Sequence, residues 1–275
     1  MRQIVERLTA AAAISLASLL WASVAPAQSP AAPPAESASG PAAHLSAAEI
    51  VTRLLEKDEQ RLNALEHYES ERTYRIEYKG TGGEHNAEIK VRAEYTGPNH
   101  KKFTVESESG SKFICDKVLR RLIESEQEAT SPSSRMQTSL SPENYDSELL
   151  GEEMVAVSGD QIRAWVLRVK PKVNSKFTYR GKVWVSADDY AIVRIQGEPA
   201  KNPSWWINRT SFEAEYVRRG SVWLPTKNVS SSHMRLGGEA TLTIAYGAYP
   251  VVVERALKQT GDSADTTSSI AKLER

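Results

Sequence analysis

Few residues in this 275-residue chain could do chemistry, and their spacing does not let them cooperate. Cys115 is the only cysteine, so no internal disulfide can form and the fold must be held by its core. That thiol opens an amphipathic helical pattern, which reads as a buried structural cysteine and not as a nucleophile. His44, His67, His85, His100 and His233 are scattered at spacings that match no zinc motif. Asp188-Asp189 pairs two carboxylates, but adjacent aspartates between strand-like runs are turn chemistry before they are a cation site. The Gly-x-Ser-x-Gly elbow of serine hydrolases does not occur. No catalytic residue, metal site or cofactor is expected, and the chain is read as a non-enzyme. What remains is apolar surface arranged by period, whose chemistry is burial.

The clearest instance is Gly181–Gly197, two β-branched runs around Ala187-Asp188-Asp189. It reads as an antiparallel hairpin. Val183 and Val185 share one face of the first run, and Ala191, Val193 and Ile195 share one face of the second. The same period-two alternation recurs in Tyr74, Ile76 and Tyr78, in Ala87 to Tyr95, through Phe103 and Val105, and in Ala240, Leu242, Ile244 and Tyr246. Further strands are expected at Glu148–Leu150, Met154–Val157, Gln161–Val169, Phe177–Tyr179, Ser211–Arg218 and Val222–Ser231.

Two segments switch to helical period. Ser46-Ala-Ala-Glu49 matches a capping box, and Ile50, Val51, Leu54, Leu55, Leu62 and Leu65 then recur at helical spacing to about His67. Val118, Leu119, Leu122 and Ile123 mark a second helix between Cys115 and Gln127. The Ser- and Pro-rich stretch Glu128–Asn144 after it is a loop, of the length that often serves as a lid. About ten antiparallel strands with two early helices make an α+β protein built on one large curved antiparallel sheet.

The flanks bound the rest. Arg2 and Arg7 precede an apolar run from Leu8 to Val24 that ends at Ala25-Pro26-Ala27, the pattern of a secretory signal peptide cleaved after Ala27; an uncleaved anchor is the alternative. Residues 28–45 are an Ala/Pro/Ser-rich linker, 46–252 the folded domain, and 253–275 a frayed tail. With 35 basic and 35 acidic residues, nothing recruits nucleic acid.

The strand series, with Gly181-Lys-Val-Trp-Val, Arg194 on the return strand, Val222-Trp-Leu-Pro225, Pro142-Glu-Asn-Tyr145, Val169-Lys-Pro171 and Pro203-Ser-Trp-Trp206, resembles the LolA-like outer membrane lipoprotein-sorting proteins over Ser46–Tyr249. The resemblance implies an unclosed β-barrel covered by helices in the periplasm. It implies a monomer that takes lipid or lipoprotein acyl chains and meets inner- or outer-membrane protein partners. Relatives of this fold also act as regulatory modules that bind a membrane protein or sense envelope stress. A further implication is a lid-latching arginine on an early strand, with Arg72, Arg75 and Arg92 all open to the role. The candidate cavity wall is Tyr74, Ile76, Tyr78, Ile89, Val91, Phe103, Val105, Val183, Val185, Val193, Phe212, Leu242 and Ile244, a face that an ordinary packed core would fill as well. Trp205 and Trp206 line a cavity mouth or pin their loop.

Overall fold

The computed structural model describes residues 45–254, apart from 98–99, 129–135, 137, 176, 203–204 and 206. The leader, the linker up to His44, the tail beyond Glu254 and Trp206 therefore lie outside the described residues. Helix α1 spans Ala47–Ala64 and begins as the sequence dictates. Glu49 N–H donates to the Ser46 hydroxyl while the Glu49 carboxylate accepts from Ser46 N–H at 2.8 Å, so two otherwise orphaned donors are satisfied. The helix stops before His67 because Leu65 turns extended and the chain passes directly into strand.

The strands are β1 (Leu65–Gly80), β2 (Gly83–Thr96), β3 (His100–Gly110), β4 (Tyr145–Val157), β5 (Asp160–Pro171), β6 (Tyr179–Ser186), β7 (Ile192–Pro199), β8 (Ile207–Arg219), β9 (Val222–Met234), β10 (Glu239–Tyr246) and β11 (Val251–Glu254). They form one antiparallel sheet in the order β3-β2-β1-β10-β9-β8-β7-β6-β5-β4, with β11 beside the start of β1. Edges β3 and β4 do not pair, so the barrel stays unclosed. The two short segments expected at 148–150 and 154–157 are one strand, β4, interrupted by a bulge near Leu149 and Gly151. Strand β11, which the sequence pattern did not announce, straddles the boundary expected between the domain and the tail at residue 252.

After β3 the chain turns at Gly110, where φ is +82° and a Cβ would stand 2.4 Å from the Asn86 carbonyl oxygen. Only glycine makes that turn without strain. It launches α2, which runs Lys112–Ile114, widens into a π-turn over Cys115–Leu119 and continues as Arg120–Glu128.

The two helices cover one face of the sheet and divide it. Under α2, Ile114, Cys115, Val118, Leu119, Leu122 and Ile123 pack on the inner residues of β1, β2 and β10. Under α1, Ile50, Val51 and Leu54 pack on those of β5, β6, β7 and β8. Because consecutive strands alternate direction, the loops fall on two rims. One carries the β5–β6, β7–β8 and β9–β10 loops and the start of β4; the other carries the β4–β5, β6–β7 and β8–β9 turns.

Candidate functional site

Strand alternation puts Arg72 on the covered face, where α2 and three strands meet around it. Its side chain is 0% exposed and ion-pairs with the carboxylate of Glu126 on α2. It also donates to the Tyr68 hydroxyl at 3.2 Å and lies 5.2 and 4.8 Å from the ring centroids of Phe103 and Tyr246. The Tyr74 hydroxyl donates to Glu126 at 2.6 Å, and Lys101 Nζ comes within 3.6 Å of the same carboxylate. Burial alone would raise the Glu126 carboxyl, but Arg72, Lys101 and the Tyr74 hydroxyl outweigh it and hold the group below the usual carboxylate range. Burial pushes the Tyr74 phenol well above its ordinary value, with Glu126 adding to the rise, so it stays a donor. Of the three arginines that the sequence left open, only Arg72 reaches a helix. Arg75 and Arg92 are more than half exposed and pair with Glu88 and Glu106 of the sheet.

A second clasp holds α1. Arg53 donates to the Tyr190 hydroxyl and sits 5.3 Å from its ring centroid. Arg61 donates to the Asp189 carbonyl, pairs with Asp58 at 2.9 Å and stands 3.7 Å from the Asp189 carboxylate. That carboxylate accepts the Trp223 indole N–H at 2.7 Å. Tyr190 is held at φ 55°, a left-handed conformation uncommon outside glycine, with Trp165 tilted against its ring at 5.0 Å. Burial pushes the Asp58 carboxyl up to about 7, against the pull of Arg61 and with Asp189 contributing to the rise. The two aspartates of the β6–β7 turn thus divide: Asp188 is exposed, as turn chemistry requires, while Asp189 anchors a helix. The anchoring partners lie well over one hundred residues from Asp189 in the case of Arg61, beyond the reach of local pattern.

Between the two helix-covered halves runs a polar seam. Asn228, Ser230 and Ser232 of β9 stand opposite Ile244, Leu242 and Ala240 on one side and Ala214, Phe212 and Thr210 on the other. Directly opposed residues share a face. All three side chains are buried, and the Thr210 and Ser232 hydroxyls meet at 2.9 Å. Sequence alternation located β9 but gave no sign that its inward residues were the polar ones.

Most residues expected on the wall share the covered face. Tyr74, Ile76, Tyr78, Ile89, Val91, Leu242 and Ile244 lie under α2 with Phe103 packed at their margin, and Val183, Val185 and Phe212 lie under α1. Two positions depart from that expectation. Val105 stands opposite Val91 but is 38% exposed, because β3 is the edge of the sheet. Val193 does not share a face with Ile195: a bulge beside Trp184 sets Ile192 opposite Val185 and sends Val193 into a separate cluster with Val155, Val166 and Trp184. Trp205 is 59% exposed on its loop. Cys115 is buried, and burial pushes its thiol up. Among the described residues no group of His, Cys, Asp or Glu is arranged to hold a metal, and no helix is long and apolar enough to cross a membrane.

No family model matches the chain, and neither does any curated protein. Solved structures similar to it include an outer membrane lipoprotein-sorting protein domain from Vibrio parahaemolyticus, 12% identical, covering 79% of this chain and 94% of that one at a TM-score of 0.38. A LolA superfamily protein from Nitrosomonas europaea is 11% identical, with coverages of 78% and 96% and a TM-score of 0.32. The MucA/MucB complex structure from Pseudomonas aeruginosa is 16% identical, with coverages of 74% and 94% and a TM-score of 0.26.

Proposed function

We propose that the protein is a non-enzymatic periplasmic carrier that takes acyl chains of lipids or lipoproteins between the sheet and its covering helices. The observation that carries this reading is the fully buried Arg72–Glu126 pair, a polar link joining α2 to the apolar cluster of β1, β2 and β10. A helix meant only to complete a core needs no such link, since replacing a buried ion pair with apolar side chains often leaves stability unchanged or raises it. A helix meant to leave and return to one register is served by it.

The energies are matched. A sixteen-carbon chain loses about 12 kcal/mol on entering water, at about 0.8 kcal/mol per methylene. The aliphatic side chains that α2 buries, Ile114, Val118, Leu119, Leu122 and Ile123, contribute about 8–15 kcal/mol on the same scale. Cargo that replaces them gains little net affinity. A carrier needs that near-balance in order to release what it holds.

The test is organic extraction of gently purified mature protein followed by mass spectrometry, together with uptake of a fluorescent fatty acid. Stoichiometric lipid and saturable uptake are expected. Empty extracts and no uptake refute the reading.

A further inference from the structure

Exposed large apolar side chains occupy the loop tips of one rim of the sheet, whereas those toward the other rim, Met154 on β4 and Val251 and Val253 on β11, lie along edge strands and not in its turns. Val173 in the β5–β6 loop is 60% exposed, Trp205 in the β7–β8 loop 59%, and Leu236 in the β9–β10 loop 68%. Met136, 57% exposed, joins the same rim, because its carbonyl accepts the Asn144 amide at 2.8 Å just before β4. The opposite turns, Ser158-Gly159, Ala187–Ala191 and Gly220-Ser221, carry no exposed large apolar side chain among the described residues. Each of the three hairpin tips also has a basic neighbour in its own loop: Lys172 beside Val173, Lys201 before Trp205, and Arg235 beside Leu236. Of the nearby acids, Asp146 pairs with Lys172 and Glu198 with Arg209, Glu143 is exposed at the start of β4 and bonded to Ser141, and Glu239 stands 4.0 Å from His233. Exposed Lys201 and Arg235 remain to face an anionic partner.

We infer that this rim docks on the surface of an anionic lipid bilayer, with the apolar tips entering between headgroups and the basic residues meeting phosphates. The spacing selects a bilayer over a protein. Tips on alternate hairpins stand two strands apart, about 10 Å along the rim. Single apolar points that far apart make no contiguous patch of the kind a protein interface buries at its centre, whereas a fluid interface receives separated points without any register. Apolar side chains flanked by Lys or Arg are also the composition of interfacial anchors. Both helix clasps lie toward the other rim, since Asp189 and Tyr190 are in the β6–β7 turn and Tyr246 and Lys101 are at strand ends there. Docking therefore leaves them unobstructed. The inference concerns the outer surface and does not depend on whether the interior takes cargo.

The experiment is flotation of the mature, lipid-extracted protein with protein-free vesicles. One set contains phosphatidylglycerol and phosphatidylethanolamine, the other phosphatidylcholine alone. Binding to the anionic set, weakened by salt, is expected. The pair Val173→Ser and Leu236→Ser should lower the partition coefficient about tenfold or more. Lys201→Glu with Arg235→Glu should lower it about fivefold per charge removed, and further through repulsion. Met154→Ser changes an exposed apolar residue away from this rim and should leave binding unchanged. Thermal unfolding of each variant confirms that it is folded. Equal binding to both vesicle sets, or an equal loss in Met154→Ser, overturns the inference. So does binding confined to native membrane vesicles and abolished by proteolysis, which would assign the rim to a protein receptor.

Discussion

Glu126→Ala is the sharpest test of the α2 clasp. The substitution leaves the Arg72 guanidinium at 0% exposure without its counter-charge and removes the acceptor of the Tyr74 hydroxyl. Removing one partner of a buried ion pair costs about 3–5 kcal/mol, because the remaining charge stays desolvated. The orphaned phenol alone would cost about 1–3 kcal/mol, overlapping that sum because both groups relax together. A loss of about 4 kcal/mol is expected. It can be followed locally, since Cys115 is the only thiol, sits 2% exposed in the π-turn of α2 and points at the Ser109 carbonyl. If the clasp governs the opening of α2, the Cys115 labelling rate at fixed pH should rise by up to about a thousandfold, at about 1.4 kcal/mol per decade. Urea unfolding gives the global figure. The double variant Arg72→Met with Glu126→Leu removes both charges and should return stability to within about 1 kcal/mol of the parent, or above it, while keeping α2 shut. A Glu126→Ala protein with parental stability and parental labelling would refute the assignment of Arg72 and Glu126 as the clasp.

The buried Glu126 and the half-buried Asp58 should respond to pH in opposite senses. Glu126 has its pKa lowered on folding, so its contribution is present above its unfolded value of about 4.3 and is lost as pH falls through the folded value. Asp58 has its pKa raised to about 7, so the folded state holds a proton that the unfolded chain has released above about 4, and stability falls as pH rises between those values. Asp58→Asn should flatten that slope in urea titrations between pH 4.5 and 7.5, and an unchanged slope would contradict it. Trp223→Phe keeps the ring packing but removes the 2.7 Å bond to Asp189; it should cost about 1.5–3 kcal/mol and raise hydrogen exchange in α1 more than in α2. Gly110→Ala forces a side chain into a left-handed turn against the Asn86 carbonyl and should lower the unfolding free energy by more than about 1 kcal/mol, with parental stability as the contrary result.

Elements were legible wherever local period and capping set them. The Ser46 box, the helical stripe of α1 and the alternation of β2 and β10 are fully encoded within a few turns or pleats. Most of the inward apolar positions followed, because a period of two leaves them one side on which to lie. Irregularities escaped: one extra residue beside Trp184 transfers Val193 to another cluster, and nothing in Ala191-Ile-Val-Arg-Ile announces it. The clasps escaped for a different reason. Arg72 differs from Arg75 and Arg92 only in the parity of its strand position and in what arrives 54 residues later, so no local signal separates a buried latch from two solvated cations. Asp189 was read correctly as a turn residue, but its carboxylate serves an element that precedes it by more than one hundred positions.

The β9 seam bears on how such a wall could open. A sheet with an unbroken apolar face would bind its two helices to one continuous core, and lifting either would expose part of the surface under the other. Here Asn228, Ser230 and Ser232 separate the surface under α2 from that under α1, and each helix has its own clasp to its own strands. Burying polar groups costs stability unless they are hydrogen-bonded, so the seam is a poor bed for acyl methylenes and a suitable one for the ester or amide groups that join them. The clasps point to the same division, because their carboxylates are tuned in opposite directions: at neutral pH Glu126 is firmly ionised beside Arg72, while Asp58 sits near its titration midpoint beside Arg61. Acidification through that range removes charge from the α1 clasp alone. The two clasps therefore answer to pH in opposite senses: a rise through neutrality charges Asp58 beside Asp189 and weakens the α1 side, whereas the Glu126 pair is lost only as pH falls below the usual carboxylate range.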